Sequence, residues 1–210
     1  MRQAVIFCAG ELEHPEFYFQ LPIKKDALIV CADGGYRHAQ ALGLVPHMLI
    51  GDFDSSEGGL PEIPKMTYPV RKDATDSFLA VDYCLEQGCS ELWILGGVGS
   101  RWDHSLSNFY LLRYIHQRGG KGILRNENNE VFLISSEVIL PKREGWYLSL
   151  LPLDGDAKDV TVEGVAYPVE NATYYLADSL GVSNQIVEEK AKINVKQGIL
   201  LGIFSKDLKK

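Results

Sequence analysis

Clustered basic charge is missing from this chain: 21 Lys and Arg stand against 28 Asp and Glu over 210 residues, a formal net charge of -7. Nucleic-acid and anionic-membrane surfaces are built from clustered Lys and Arg, so neither partner is expected. Long apolar runs are missing too. At the N-terminus Arg2 is followed by an apolar run of only Ala4 to Ala9, too short for a secretion signal, and no span approaches a membrane helix, so a cytoplasmic location is expected. Cysteine is scarce: Cys8, Cys31, Cys84 and Cys89 lie in or beside apolar segments without C-x-x-C spacing. That argues against zinc or disulfides and predicts buried, reduced thiols. There is no internal repeat, low-complexity tract or heptad pattern. The Lys-Ser/Thr pair of a P-loop and the third glycine of a dinucleotide fingerprint are also absent.

What is present is a 46% hydrophobic chain, long enough for one domain or two small ones. Residues 4–9 and 27–32 are continuous apolar runs, as expected of strands buried on both faces of a parallel sheet, with a helix after each. Tyr36 to Leu42 supplies one such helix, stopped by Gly43. A strand ends at Leu49-Ile50-Gly51. A short strand over 66–70 precedes a helix with an apolar stripe through Phe78, Val81 and Leu85, ended by Gly88. Glu91 to Leu95 is the next strand, followed by the glycine-rich stretch 96–100 and a helix from about Ser105 to Gln117. Beyond 121–124 the pattern changes to strand-like segments at 131–134, 146–151, 160–162, 173–176, 193–195 and 199–204. The expected organisation is therefore an α/β domain with a mostly parallel sheet (1–128) followed by an all-β domain (129–210), with the boundary near Asn126 to Asn129.

The chemistry centres on Gly51-Asp52-Phe53-Asp54-Ser55. In an extended segment, alternate side chains project together, so Asp52 and Asp54 would point the same way beyond a strand end. Two adjacent carboxylates favour a cation between them, and hard oxygens suit magnesium. The plainer alternative is that both cap a turn and the next helix. Asp33, Asp73, Asp76 and Asp103 fall at equivalent strand ends or helix starts, with Arg71, Lys72 and Arg101 on the same edge. Ligands bind at that edge of an open α/β sheet, and carboxylates for metal beside cations for phosphate are what phosphoryl transfer needs. Asp76 has a structural reason to be there as well, since the first turn of a helix favours a carboxylate. Gly97 and Gly99 could bring backbone N–H groups to a phosphate or could only shape a tight turn.

Taken together, Ala32-Asp33-Gly34-Gly35, Gly51 to Ser55, Lys72-Asp73-Ala74-Thr75-Asp76, Gly96 to His104, Gly164 to Pro168 and Ser179 to Asn184 resemble, in order, the motifs of the thiamine pyrophosphokinase family. The resemblance implies an α/β nucleotide- and metal-binding domain, a β-sandwich that binds thiamine and dimerises, and a homodimer with thiamine at its interface. It implies magnesium-dependent transfer of pyrophosphate from ATP to the thiamine hydroxyl. Carried over by residue, Asp52, Asp54 and Asp73 would hold the metal and triphosphate. Asp33, Lys72, Asp76, Gly97, Gly99 and Arg101 would serve ATP, and Asp103 would lie beside the phosphates or activate the hydroxyl. Tyr167, Ser183 and Asn184 would meet thiamine, although 183–184 also reads as an ordinary turn and Tyr167 as a core aromatic. His104 could assist proton transfer or simply donate to a neighbouring Asp. Gln185 departs from the Glu usual in the family. Another phosphoryl or nucleotidyl transferase, or a nucleotide-sensing module, are the competing readings.

Overall fold

The computed structural model describes residues 1–51, 62–67 and 74–207. They form two compact units, Met1–Glu127 and Asn128–Lys210. In the first, strands β1 (Arg2–Phe7), β2 (Leu28–Ala32), β3 (Met48–Gly51), β4 (Lys65–Thr67), β5 (Cys89–Leu95) and β6 (Lys121–Arg125) make a parallel sheet in the order β4-β3-β2-β1-β5-β6. Helices α1 (Tyr36–Ala41), α2 (Asp76–Glu86) and α3 (Trp102–Gln117) supply the crossovers.

Because side chains alternate across a strand, Val5, Phe7, Cys31, Leu49, Trp93 and Leu95 share one core with Ala39 of α1 and with Phe17 and Tyr18. The intervening Ala4, Ile6, Val30, Ile50, Leu92 and Ile94 are also fully buried, and α2 packs across β1, β2, β3 and β5. Burial on both faces is the reason these strands read as unbroken apolar runs. Helix α2 begins where Thr75 accepts the Phe78 N–H at 3.2 Å, and Asp76 occupies its first turn.

The expected helix after β1 is instead a short 3-10 turn, Pro15–Gln20. Its three aromatic residues and starting proline let it cover the sheet with Phe17 and Tyr18 without a full crossover helix. Helix α3 begins at Trp102, three residues earlier than the sequence suggests. Asp103 therefore sits in its first turn rather than in the preceding loop.

The second unit is antiparallel. Strands β7 (Asn129–Ile134), β9 (Tyr147–Pro152) and β13 (Leu200–Ser205) run in the order β7-β13-β9, and β8 (Val138–Pro141), β10 (Ala157–Glu163), β11 (Val169–Tyr174) and β12 (Lys190–Gln197) in the order β11-β10-β12-β8. Both sheets contribute to one core, from Phe132, Leu148, Leu150 and Phe204 on one side to Val160, Val162, Ile193 and Val195 on the other. Strand β8 is absent from the sequence reading. Strand β11 ends at Tyr174 rather than running on to Leu176, whose N–H donates instead to Asp156 Oδ1 at 3.1 Å.

Candidate active site

In the first unit the strand order reverses at β1, which has β2 on one side and β5 on the other. Outside the carboxyl ends of such strands the two following loops diverge and leave a crevice. A cavity of about 400 Å³ lies there. It is lined by the loop after β1 (Cys8 to Glu11), by Ala32, Asp33 and Arg37, by the start of α2 (Thr75 to Ser77), by the glycine loop after β5, and by His104, Ser105 and Asn108 of α3.

Two backbones meet at its floor. Gly10 N–H donates to the Gly96 carbonyl at 2.7 Å and Glu11 N–H to the Val98 carbonyl at 2.9 Å, continuing the β1–β5 pairing past both strand ends. A Cβ on Gly10 would lie 2.4 Å from the Gly96 oxygen, and one on Gly99 3.3 Å from Gly10 Cα. Gly10 is therefore required by close approach of main chains, and Gly99 sits tightly against it. Polar side chains of α3 brace the loop from behind. Ser105 Oγ accepts the Gly99 N–H at 3.1 Å and donates to the Arg101 carbonyl at 2.9 Å, while buried Asn108 donates through Nδ2 to the Gly97 carbonyl at 2.7 Å. Helix α1 braces the other side: Nε2 of buried His38 lies 2.8 Å from the Gly10 carbonyl. The carbonyl can only accept, so this nitrogen carries the proton. Burial holds the imidazole's pKa below its ordinary value, keeping the ring neutral near pH 7.

Among the described residues lining the cavity, Glu11, Asp33 and Asp76 are acidic and Arg37 and Arg101 basic. Both cations are already engaged. Arg37 donates to the Ala9 and Gly10 carbonyls, and Arg101 forms a 2.6 Å ion pair with Asp103. The hydrogen bond from Arg101 is the largest cause of the depressed Asp103 pKa, about 2, so this carboxylate is a weak base. The Cys8 thiol is pushed up to about 11, chiefly by burial, and stays neutral. A polyphosphate entering this acidic cavity would need added positive charge, and the available oxygen donors match a hard divalent cation. Among the described residues, however, no three His, Cys, Asp or Glu side chains are grouped so as to hold a metal.

Of the residues singled out from sequence, Asp33, Asp76, Gly97, Gly99, Arg101 and His104 line one cavity. Asp52, Asp54, Arg71, Lys72 and Asp73 lie outside the described residues. Asp33 has a left-handed φ of 46°, which places a strained non-glycine residue at the cavity wall. The sequence reading missed Glu11, Arg37, His38, Ser105 and Asn108. For the last two a signal existed, namely short polar residues three apart on the helix that follows the glycine loop.

Tyr167, Ser183 and Asn184 belong to the second unit. Tyr167 is 73% exposed, which removes the core reading, whereas Asn184 is buried. The exposed Ser183 adopts a left-handed φ of 59°, and its N–H donates to Ser149 Oγ at 3.0 Å. Exposed Leu176, Leu180, Val182 and Val187 lie along the same stretch of chain.

An open parallel sheet with an acidic, glycine-floored cavity at its switch point, joined to an antiparallel β unit, places this protein in the class of α/β ligand-binding proteins carrying an added β domain. Comparison narrows that class. Residues 19–123 match the family model of the thiamin pyrophosphokinase catalytic domain, and residues 136–200 that of the thiamin pyrophosphokinase vitamin B1 binding domain. The chain belongs to the thiamin pyrophosphokinase family. It is 32% identical over 173 residues to the thiamine pyrophosphokinase of Bacillus subtilis (strain 168), covering 79% of this chain and 81% of that one. The crystal structure of a thiamine pyrophosphokinase from Bacillus subtilis superposes with a TM-score of 0.89 at 27% identity, over 99% of this chain and 100% of the other. A Geobacillus thermodenitrificans thiamin pyrophosphokinase structure has the same fold, with a TM-score of 0.85 at 24% identity over 99% and 98% of the two chains. No helix among the described residues is long and apolar enough to cross a membrane.

Proposed function

We propose that the protein transfers pyrophosphate from ATP to the hydroxyl of thiamine, giving thiamine diphosphate and AMP. The observation that carries this reading is the match of both family models, one over the unit that holds the cavity and one over the antiparallel unit. The thiamine oxygen attacks the β-phosphorus, the bond from that phosphorus to the α–β bridging oxygen breaks, and AMP departs with the bridging oxygen. The hydroxyl proton passes to solvent.

Asp52, Asp54 and Asp73 would hold magnesium, which when bound offsets the charge of the triphosphate. Asp33 and Asp76 already stand in the cavity, and the net acidity of its described lining is what supports the need for that cation. Arg101 would meet a phosphate, kept in place by Asp103. With its pKa near 2, Asp103 is better suited to orienting Arg101 than to taking the hydroxyl proton. Gly99 serves by its small size, since its N–H is given to Ser105. Lys72 would add charge at the same edge. Catalysis then rests on alignment and charge neutralisation.

Thiamine would meet Tyr167 and Ser183 of the second unit. A homodimer would give the exposed side chains of Leu176, Leu180, Val182 and Val187 an apolar partner. Four free, buried cysteines fit the reducing cytoplasm.

The test is incubation with ATP, magnesium and thiamine, resolving the nucleotide product. AMP formed in step with thiamine diphosphate is expected. ADP with thiamine monophosphate would mean transfer of a single phosphoryl group and would overturn the proposal.

A further inference from the structure

Asn184 stands beside the expected thiamine contacts, yet its side chain faces its own chain. Its Oδ1 accepts the Tyr167 N–H at 3.1 Å and the Gln185 N–H at 2.9 Å, which uses both lone pairs of an amide oxygen. Its Nδ2 donates to the Tyr167 carbonyl at 2.9 Å. At most one N–H of the amide remains for anything else.

The main chain around this clasp is fixed as well. Asn184 N–H donates to the Leu148 carbonyl at 3.1 Å and Leu148 N–H returns to the Asn184 carbonyl at 2.8 Å, tying the residue to β9. Ala166 N–H donates to the Gln185 carbonyl at 2.9 Å, and Val165 pairs with Ile186, both buried in the core. Only main-chain atoms of Gln185 take part, so the departure from the usual Glu leaves the clasp intact. On this fixed frame, with Pro168 restricting the backbone of the residue before it, Tyr167 is 73% exposed. An aromatic side chain held this firmly in water has no packing role to explain it.

We infer that Asn184 is a positioning residue: it acts on the substrate through Tyr167, whose ring is the surface offered to a flat cationic heterocycle. This rests on the thiamine reading above. The affinity comes from a ring face whose backbone is ordered before the ligand arrives.

A double-mutant cycle tests it. Initial rates are measured for the wild type, Tyr167→Ala, Asn184→Ala and the double variant, varying thiamine at saturating ATP and magnesium. Tyr167→Ala should raise the thiamine KM about tenfold with the ATP KM unchanged, the size of a cation–π contact of roughly 1.4 kcal/mol. Asn184→Ala should do much the same. The double variant should be no worse than Tyr167→Ala within about twofold, because removing the clasp costs nothing once the ring is gone. Tyr167→Phe, which keeps the ring face, should raise the thiamine KM less than Tyr167→Ala does. If Asn184→Ala does not fold, Asn184→Asp takes its place in the cycle. It keeps an oxygen for both N–H groups and replaces the donor to the Tyr167 carbonyl with a second acceptor, and the same non-additivity is expected. Multiplying losses in the double variant would make Asn184 a direct contact and overturn the inference. An unchanged thiamine KM in Tyr167→Ala would also overturn it while leaving the proposed function standing, whereas a wild type that makes no thiamine diphosphate would overturn both.

Discussion

The N–H of Gly10 reaches the carbonyl of Gly96 at 2.7 Å, so the loops that follow β1 and β5 are joined by main-chain atoms at the floor of the cavity. A Cβ at position 10 would stand 2.4 Å from the Gly96 oxygen and 2.5 Å from that of Val98. Neither oxygen can swing aside as a flexible side chain would. Gly10→Ala should therefore separate the loops, lowering stability by about 1–3 kcal/mol and raising the KM for ATP more than that for thiamine. Thermal unfolding and two-substrate kinetics check both effects, and unchanged values for both would disprove the fit.

Arg101 and Asp103 give a pH prediction. The Asp103 pKa is lowered to about 2 from 3.8, so the carboxylate favours the folded state above its unfolded pKa. That contribution is lost as pH falls through roughly 4 towards 2. Any activity change between pH 5 and 8 must then come from another group. Arg101→Gln should move the Asp103 titration upward towards the ordinary carboxylate range, as followed by carboxyl carbon NMR. An unmoved titration would show that the ion pair is not its cause.

For the metal, the test lies in the paired carboxylates that lie outside the described residues. Asp52→Asn or Asp54→Asn removes a ligand charge with almost no change in volume, so turnover should fall by the order of 10²-fold with circular dichroism unchanged. Chelation of magnesium in the wild type should abolish activity reversibly. Near wild-type rates in either variant at saturating magnesium would remove these residues from the site.

Mixed dimers test how the site is assembled. An Asp73→Asn chain should be nearly inactive alone, and an Asn184→Ala chain about tenfold less active at thiamine well below KM. Refolded together as mixed dimers, they should exceed the activity of either at that low thiamine if thiamine is held at a subunit interface. Two-fold symmetry leaves one intact site per mixed dimer. No recovery, with mixed dimers demonstrated by native mass measurement, would place both residues in one subunit's site.

The thiols provide a check on packing. Cys8, Cys31, Cys84 and Cys89 are buried, and burial raises the pKa of each. All four should resist a disulfide reagent at pH 8 in the native protein and react together on unfolding in denaturant. A rapidly reacting thiol in the native state would contradict this packing.

Strand positions and the parallel sheet were legible in the sequence because burial on both faces leaves an unmistakable apolar run, as in Ala4 to Phe7 and Leu92 to Leu95. Asp33 was legible for a related reason: a carboxylate placed directly after such a run lies at the sheet's carboxyl end, where it lines the cavity. The residues around the sites were not. That Asn108 and Ser105 hold the glycine loop, that His38 holds Gly10, and that the Asn184 amide is spent on Tyr167 depend on pairs up to 28 residues apart meeting within 3.2 Å. Local pattern determines which way a side chain faces along its own element. Which distant main-chain carbonyl or N–H it meets is decided only when crossovers and antiparallel returns bring separate elements together, and there a hydrogen bond of fixed length selects the partner.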